Sequence, residues 1–139
     1  METPRRLVRR RARRQHEPSG DLFDPDCPTR KVLDRIGDKW TVLVVLLLSD
    51  GPQRFSELRG QLGRVAPKVL TETLRRMERD GLLTRTVHPV VPPRVDYELT
   101  DLGQSLIAPI VVVGDWAEVN VGRITAAQEE YDARTADRR

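Results

Sequence analysis

The chain has 139 residues, which is enough for one ordinary domain and too few for two. A hydrophobic share of 38% predicts a modest core that oligomerisation would help, and an aromatic share of 4% argues against a single-strand nucleic-acid platform of stacked rings. Residues 1–20 hold seven arginines and two glutamates, a net +5, so residues 21–139 carry a net −2. A nucleic-acid-binding surface on the folded body would therefore have to be local.

The sequence shows no signal peptide and no segment expected to span a membrane. The basic start is not followed by an apolar stretch, and the longest apolar run, residues 42–48, is too short to cross a bilayer. The single cysteine, Cys27, excludes an intramolecular disulfide and suits a reducing compartment. We therefore expect a cytoplasmic protein.

Residues 1–26 combine an arginine cluster with prolines, glycine and few apolar positions. Such a composition buries too little apolar surface to offset the entropy of ordering, which predicts a disordered or partly helical arm. Two interpretations remain open: an arm that folds on a nucleic acid, and a solvated tail.

The next part of the chain predicts three short helices. The first spans residues 28–36 and ends at Gly37. The second spans residues 40–48; its nearly continuous apolar run permits a buried strand or a buried helix, and its helical neighbours favour the helix. The third spans residues 55–62, where apolar residues recur at helical spacing.

Residues 66–80 predict an amphipathic helix with a basic face. Leu70, Leu74 and Met77 recur at i, i+4 and i+7 and mark the buried side. Pro67 suits a first turn, and Gly81 suits a helix end. The opposite side gathers polar and charged residues: Lys68, Thr71, Glu72, Arg75 and Arg79.

Two strand-like runs follow, residues 82–87 and 95–99, joined by a proline-rich loop. Thr100 is expected to cap a long helix that runs to about Asn120 and is kinked at Pro109. This order predicts a mainly α-helical fold with a small β-wing, a winged helix-turn-helix over residues 27–120. Residues 121–139 are expected to form a separate C-terminal helical extension.

Several motifs in this order resemble the HxlR branch of the MarR-like winged helix-turn-helix regulators. The resemblance implies a DNA-binding homodimer with terminal helices at its interface, and a response to a chemical or redox signal. One departure is Ala66, which stands where the family usually has a serine that would cap the fourth helix. The motifs are Cys27-Pro28, Gly37-Asp38-Lys39-Trp40, Arg54-Phe55-Ser56-Glu57-Leu58, Leu70-Thr71, Leu74, Asp80-Gly81-Leu82, Val91-Pro92-Pro93-Arg94-Val95-Asp96-Tyr97 and Leu99-Thr100-Asp101-Leu102-Gly103.

Double-stranded DNA is the expected partner, and the fourth helix is expected to enter the major groove with its N-terminal part at the base edges. Glu72 has two interpretations, accepting a hydrogen bond from cytosine or orienting a neighbouring arginine. The alternative for the whole face is an ordinary solvated helix surface. The expected DNA-binding residues are Lys68, Thr71, Glu72, Arg75 and Arg79 on the helix, Arg94 at the wing tip, and Arg54 and Arg59 at phosphates.

The long helix carries apolar residues that a small domain would not leave in water. We expect a two-fold dimer there, and hence near-palindromic operators. The expected interface residues are Leu106, Val112, Val113, Trp116 and Val119.

Cys27 precedes Pro28 at the start of a helix, where backbone amides and nearby cations favour a thiolate. Two hypotheses stand side by side: a redox or electrophile sensor, as the resemblance implies, and a small hydrophobe that packs the N-terminus. A sensor without a second cysteine would need an intersubunit disulfide, an adduct or a small-thiol cap.

No catalytic, cofactor-binding or metal-binding site is expected. The two histidines, His16 and His88, lack neighbours at metal-ligand spacing, and no phosphate-cradling glycine loop occurs. The alternative function is an architectural or non-specific nucleic-acid-binding protein that uses the arginine-rich arm.

Overall fold

The computed structural model describes residues 22–138, so the arginine cluster of the expected arm lies outside the described residues. Residues 22–26, the end of that expected arm, form turns that lead into the first helix. The elements are α1 (Pro28–Ile36), α2 (Lys39–Leu48), β1 (Gln53–Arg54), α3 (Phe55–Leu62), α4 (Pro67–Arg79), β2 (Leu83–His88), β3 (Arg94–Leu99), α5 (Asp101–Ser105) and α6 (Ile107–Ala136).

Helix α2 forms the centre of the core, which confirms the buried-helix interpretation of its apolar run. Asp38 caps it by accepting a hydrogen bond from the backbone N–H of Thr41, which satisfies a donor that the first turn leaves unpaired. Val44 and Val45 are fully buried. The core around them comes from every layer of the domain: Leu48, Leu58, Val65, Leu70, Leu74, Met77, Leu82, Leu83, Leu99 and Ile110.

Helix α4 begins and ends one residue inside the predicted segment 66–80, and it has the predicted buried side. Pro67 occupies its first turn, where backbone N–H groups have no acceptor within the helix, so the N–H that proline lacks costs nothing. Leu70, Leu74 and Met77 are buried. After its last turn the chain reverses at Gly81, whose φ of +77° lies in the left-handed region that glycine adopts without strain.

The strands form one antiparallel sheet in the order β1-β3-β2. The β2–β3 pair is the predicted wing ribbon, in register from Leu83 opposite Leu99 to His88 opposite Arg94. Strand β1 was not predicted because its two residues are too few to show an alternating pattern. The architecture is thus mainly helical with a small sheet, as predicted.

The C-terminal part differs from the prediction. The helix is interrupted at Leu106 instead of being kinked at Pro109, which lies in the first turn of α6, where no intrahelical N–H bond is required. The predicted end near Asn120 is wrong, since α6 continues to Ala136. The Asn120 side chain donates to the Trp116 carbonyl oxygen over 2.8 Å, so the residue is accommodated inside the helix.

Candidate nucleic-acid interface

Helix α4 presents an exposed face of long polar side chains. Lys68, Glu72 and Arg75 are exposed and fall within one side of the helix at about 100° per residue, with Arg79 one turn further on. Within residues 22–138 none of the four forms a hydrogen bond or ion pair with another side chain. The face therefore carries charge that the described fold does not neutralise.

Arg76 belongs to a different side of α4 from the exposed face. Its Nη2 donates to Asp38 Oδ2 over 3.1 Å, and Asp38 is the residue that caps α2. Just beyond the C-terminal end of α4, Asp80 Oδ1 accepts from Arg35 Nη1 over 2.5 Å. These two ion pairs fix the C-terminal end of α4 to the end of α1 and the turn that follows it, and the outer side of the N-terminal half of α4 stays exposed.

The N-terminus of α4 lacks a side-chain cap, as its sequence predicts. Ala66 has the extended backbone of an N-cap residue, with φ −67° and ψ 139°, but no side-chain acceptor. No capping side chain therefore accepts a hydrogen bond from the first backbone amides of α4. A helix end in this state attracts an anionic group such as a DNA phosphate.

The wing, defined as β2, residues 89–93 and β3, holds its cation in a network. Arg94 opens β3 and does not lie on the loop, and its Nε and Nη2 donate to the two carboxylate oxygens of Asp96 over 3.1 and 3.2 Å. His88 Nε2 lies 2.9 Å from Asp96 Oδ2. The hydrogen bond from Arg94 lowers the pKa of Asp96, with a smaller contribution from His88, and the same pair raises the pKa of Arg94.

The tip of the wing is apolar, a feature that sequence reasoning passed over. Val91 is fully exposed and Val90 is half-exposed, between prolines on either side. A stiff apolar loop next to one oriented arginine has the size and chemistry to enter a minor groove.

The two remaining expected phosphate contacts lie on or beside α3. Arg54 is the N-cap residue, and its backbone N–H donates to Glu57 Oε1 over 3.3 Å. Arg59 is exposed one turn later and lines an open groove with Ser56 and Gly63. Both arginines are exposed.

A cleft of about 210 Å³ separates α4 from the wing. Arg85 and Tyr97 contribute to it, and neither was expected at the site. The signal was available: strand alternation places Arg85 on the same side of β2 as the buried Leu83, the side that packs on α4. The lining residues are Thr71, Leu74, Arg75, Glu78, Arg85 and Tyr97.

The expected dimer residues divide into two groups. Leu106 is half-buried and packs against the core of its own chain, so it is not a free interface residue. The others lie on the exposed part of α6, a 30-residue helix with a single buried residue, Ile110. They are Val112, Val113, Trp116 and Val119, with exposed fractions of 68, 66, 60 and 80%.

The segment Asp101–Ala136 also has the length and composition of a helix that crosses a membrane. Its mean hydropathy is 1.3 over an 18-residue window, of which 6% is buried. Sequence inspection missed it because only the longest uninterrupted apolar run was considered.

Cys27 is the N-cap residue of α1 and is 2% exposed. Its burial fits the packing hypothesis and means that a reagent reaches the thiol only after local opening. For metals, the described part of the chain contains no group of three histidine, cysteine, aspartate or glutamate side chains placed to hold an ion.

Comparison with known proteins gives the family. Residues 35–125 match the model of the HxlR-like helix-turn-helix family. The chain is 40% identical over 114 residues to the HTH-type transcriptional regulator YtfH of Escherichia coli (strain K12), covering 82% of this chain and 90% of that protein. It is similar to the solved structure of YtfH from Salmonella typhimurium, with a TM-score of 0.73 and 42% identity over 79% of this chain and 98% of that one.

The chain is also similar to the solved structure of a redox regulator. The redox regulator HypR in its reduced form matches with a TM-score of 0.66 and 34% identity, covering 71% of this chain and 98% of that one. The fold, with its exposed basic helix and β-wing, and the similarity to these relatives indicate the same family. The chain belongs to the HxlR-like helix-turn-helix family of DNA-binding transcriptional regulators.

Proposed function

We propose that this protein is a cytoplasmic regulator that binds a near-palindromic operator sequence-specifically as a homodimer. The observation that carries the proposal is the exposed, unneutralised face of α4 beside an exposed wing. The buried side of α4 packs on the core and two ion pairs hold its C-terminal end, so the exposed face of its N-terminal half can enter a major groove while the wing reaches the neighbouring minor groove.

The residues divide between base reading and phosphate binding. Lys68, Glu72 and Arg75 lie in the N-terminal half of α4, where a helix in the major groove meets base edges. Arginine contacts guanine through two donors at once, which gives one base pair of specificity. Arg79, Arg54 and Arg59 lie further from that end and are assigned to phosphates, and Arg94 is assigned to the minor groove.

The homodimer explains the exposed apolar surface of α6. Val112, Trp116 and Val119 lie at i, i+4 and i+7 and form a stripe that the monomer leaves in water. Asp115 and Glu118 interrupt the apolar stretch, and an acidic residue at the centre of a bilayer costs about 2.5–3.5 kcal/mol. A second copy of the chain is therefore a better cover than lipid.

The specificity is tested by selection from random duplexes. The expected result is enrichment of a near-palindrome with half-sites about one helical turn apart. Arg75→Ala should weaken operator binding by about 1–3 kcal/mol and relax preference at one base pair, whereas Arg134→Ala, on the exposed C-terminal part of α6, should leave both unchanged. Equal enrichment of every duplex would contradict the proposal and favour the architectural alternative.

The dimer is tested by sedimentation at micromolar concentration. Wild type is expected to sediment as a dimer and Trp116→Glu as a monomer, because a carboxylate would be buried without a partner. Glu118→Gln changes the charge by one unit outside the stripe, as Trp116→Glu does within it, and should remain a dimer. A monomeric wild type, with or without operator DNA, would refute the two-fold arrangement.

A redox response through Cys27 is the second part of the proposal. It is supported by the similarity to a solved redox regulator and by the position of Cys27 at the start of α1. The deciding measurement is operator affinity before and after oxidation, for wild type and Cys27→Ser.

A further inference from the structure

The cleft between α4 and the wing has the composition of an anion site. Arg75 and Arg85 supply two positive charges and Glu78 one negative charge, so its lining carries a net charge of +1. Thr71 and Tyr97 add two hydroxyl donors. Among residues 22–138, neither arginine forms an ion pair with a carboxylate.

The geometry of a DNA duplex indicates which part of the DNA would lie in this cleft. The major and minor grooves of one duplex face are separated by a sugar–phosphate strand. If α4 occupies the major groove and the wing the adjacent minor groove, that strand must pass between them. The cleft of about 210 Å³ lies between α4 and the β2–β3 ribbon, where that strand would then pass.

We propose that the cleft holds one backbone phosphodiester of the strand that separates the two grooves. Arg85 binds its anionic oxygens, the Thr71 and Tyr97 hydroxyls donate to it, and Glu78 opposes it, while Arg75 adds positive charge to the lining and keeps its donors for a base edge. The net charge of the lining matches the single negative charge of a phosphodiester. This inference rests on the proposed duplex binding, and it assigns Arg85, Tyr97 and Glu78 a role in affinity without sequence reading.

Arg85 lies in the wing on the side that faces α4, opposite Tyr97 in the β2–β3 register. Its charge is therefore placed by the strand and not by the major-groove helix. A phosphate held from both sides would fix the spacing between α4 and the wing on DNA. Loss of Arg85 should weaken binding to every sequence alike.

The test measures affinity for the selected operator and for an unrelated duplex across a salt series. Arg85→Gln should weaken both by a similar factor, about tenfold, and reduce the salt slope by about one. Glu78→Gln should raise the affinity for both duplexes severalfold, because it removes a carboxylate from beside the phosphate. Arg85→Lys should restore part of the slope, and Arg134→Gln should change nothing.

The outcomes separate this proposal from the proposed function. Loss of salt slope in Arg85→Gln with unchanged base preference supports the phosphate site, even if the wild type shows little sequence preference. A changed preference at one base pair, or an unchanged affinity and slope in a variant with wild-type circular dichroism, overturns it. Glu78→Gln weakening both duplexes also overturns it.

A second arm distinguishes a DNA phosphate from a free anion. Inorganic phosphate at constant ionic strength should not displace the operator from wild type more readily than from Arg85→Gln. Displacement that is selective for wild type would assign the cleft to a small anionic ligand and overturn the proposal.

Discussion

Arg76 and Asp38 join α4, which carries the proposed DNA-binding face, to α2, the central helix of the core. The Arg76 guanidinium, on α4, donates over 3.1 Å to the same carboxylate oxygen of Asp38 that accepts from the first turn of α2. One carboxylate therefore caps α2 and holds α4. Because both side chains are partly exposed, the ion pair adds little to the stability of the fold. Its main effect is to orient α4 relative to α2.

Replacing Asp38 by alanine should cost more stability than replacing Arg76. Asp38→Ala removes a cap and an ion pair, for an expected loss of about 1–2 kcal/mol, whereas Arg76→Ala removes only the pair, for less than about 1 kcal/mol. Asp38→Asn is the matched control, since asparagine keeps a capping oxygen without the charge. Urea unfolding of the three variants measures this, and an Asp38→Asn loss as large as that of Asp38→Ala would contradict it.

Gly103 is required by a close backbone approach that its motif alone does not reveal. A Cβ built there would lie 2.0 Å from the Leu82 carbonyl oxygen and 3.0 Å from Leu99 Cδ2. Because the obstacle includes backbone, Gly103→Ala should destabilise the fold by about 3 kcal/mol or more. Thermal unfolding measures the effect.

Gly60 provides the control for Gly103. It lies within α3, and an added Cβ meets no atom within 4 Å. Gly60→Ala should therefore stabilise the helix by about 0.5–1 kcal/mol. Equal melting temperatures for the two variants would show that the close approach at Gly103 is relieved at no cost.

The parts of the fold that could be predicted are those that local pattern decides. Periodic apolar residues gave the bounds of α4, and the proline-rich loop between two strand-like runs gave the wing. The ion pair between Arg76 and Asp38 could not be predicted, because its partners are distant in sequence and meet only after packing. The continuity of α6 was missed because Asn120 and Gly122 lower helix propensity without ending a long helix.

The site was predicted to a similar extent and for similar reasons. Placing Lys68 and Arg75 on an exposed face needs only helical periodicity. Arg85 and Tyr97 enter the site because the β2–β3 ribbon packs on α4, which is a tertiary relationship. Arg94 was predicted at the tip of the wing, and its pairing with Asp96 two residues later depends on the conformation of β3, where both residues lie.

The wing network should make stability depend on pH in the acidic range. Hydrogen bonding from Arg94 keeps the pKa of Asp96 below its unfolded value of about 3.9. A carboxylate with a lowered folded pKa stabilises the native state fully above the unfolded pKa, and this contribution is lost as the pH falls through the folded value. Asp96→Asn should therefore be less stable than wild type at pH 7, and the difference should shrink below about pH 4.

Glu98→Gln is the control for the wing network. It removes a carboxylate from the same strand, two residues away, and Glu98 forms no ion pair within the described residues. Unfolding of the variants in urea at several pH values makes the comparison. A difference between wild type and Asp96→Asn that stays constant from pH 7 to strongly acidic solution would refute the role of the ionised Asp96.

Oxidation of Cys27 should act through α1. The thiol is 2% exposed at the N-cap, but α1 itself contains no buried residue, so opening of its first turn is expected to cost little. At its other end, α1 contacts the residue that follows α4 through the ion pair of Arg35 with Asp80. Displacement of α1 would therefore disturb the position of α4.

Diamide, which oxidises pairs of thiols to disulfides, tests the role of Cys27. The reagent takes two electrons and two protons from two thiols, and the second thiol must come from a partner subunit or a small thiol because the chain has a single cysteine. Treated wild type should lose operator affinity and recover it with a reductant, whereas Cys27→Ser should not respond. Arg35→Gln should still be oxidised but should show a smaller change in affinity, since its link to Asp80 is already broken. If oxidant leaves wild-type affinity unchanged, or changes Cys27→Ser equally, then Cys27 serves packing alone and any signal enters elsewhere.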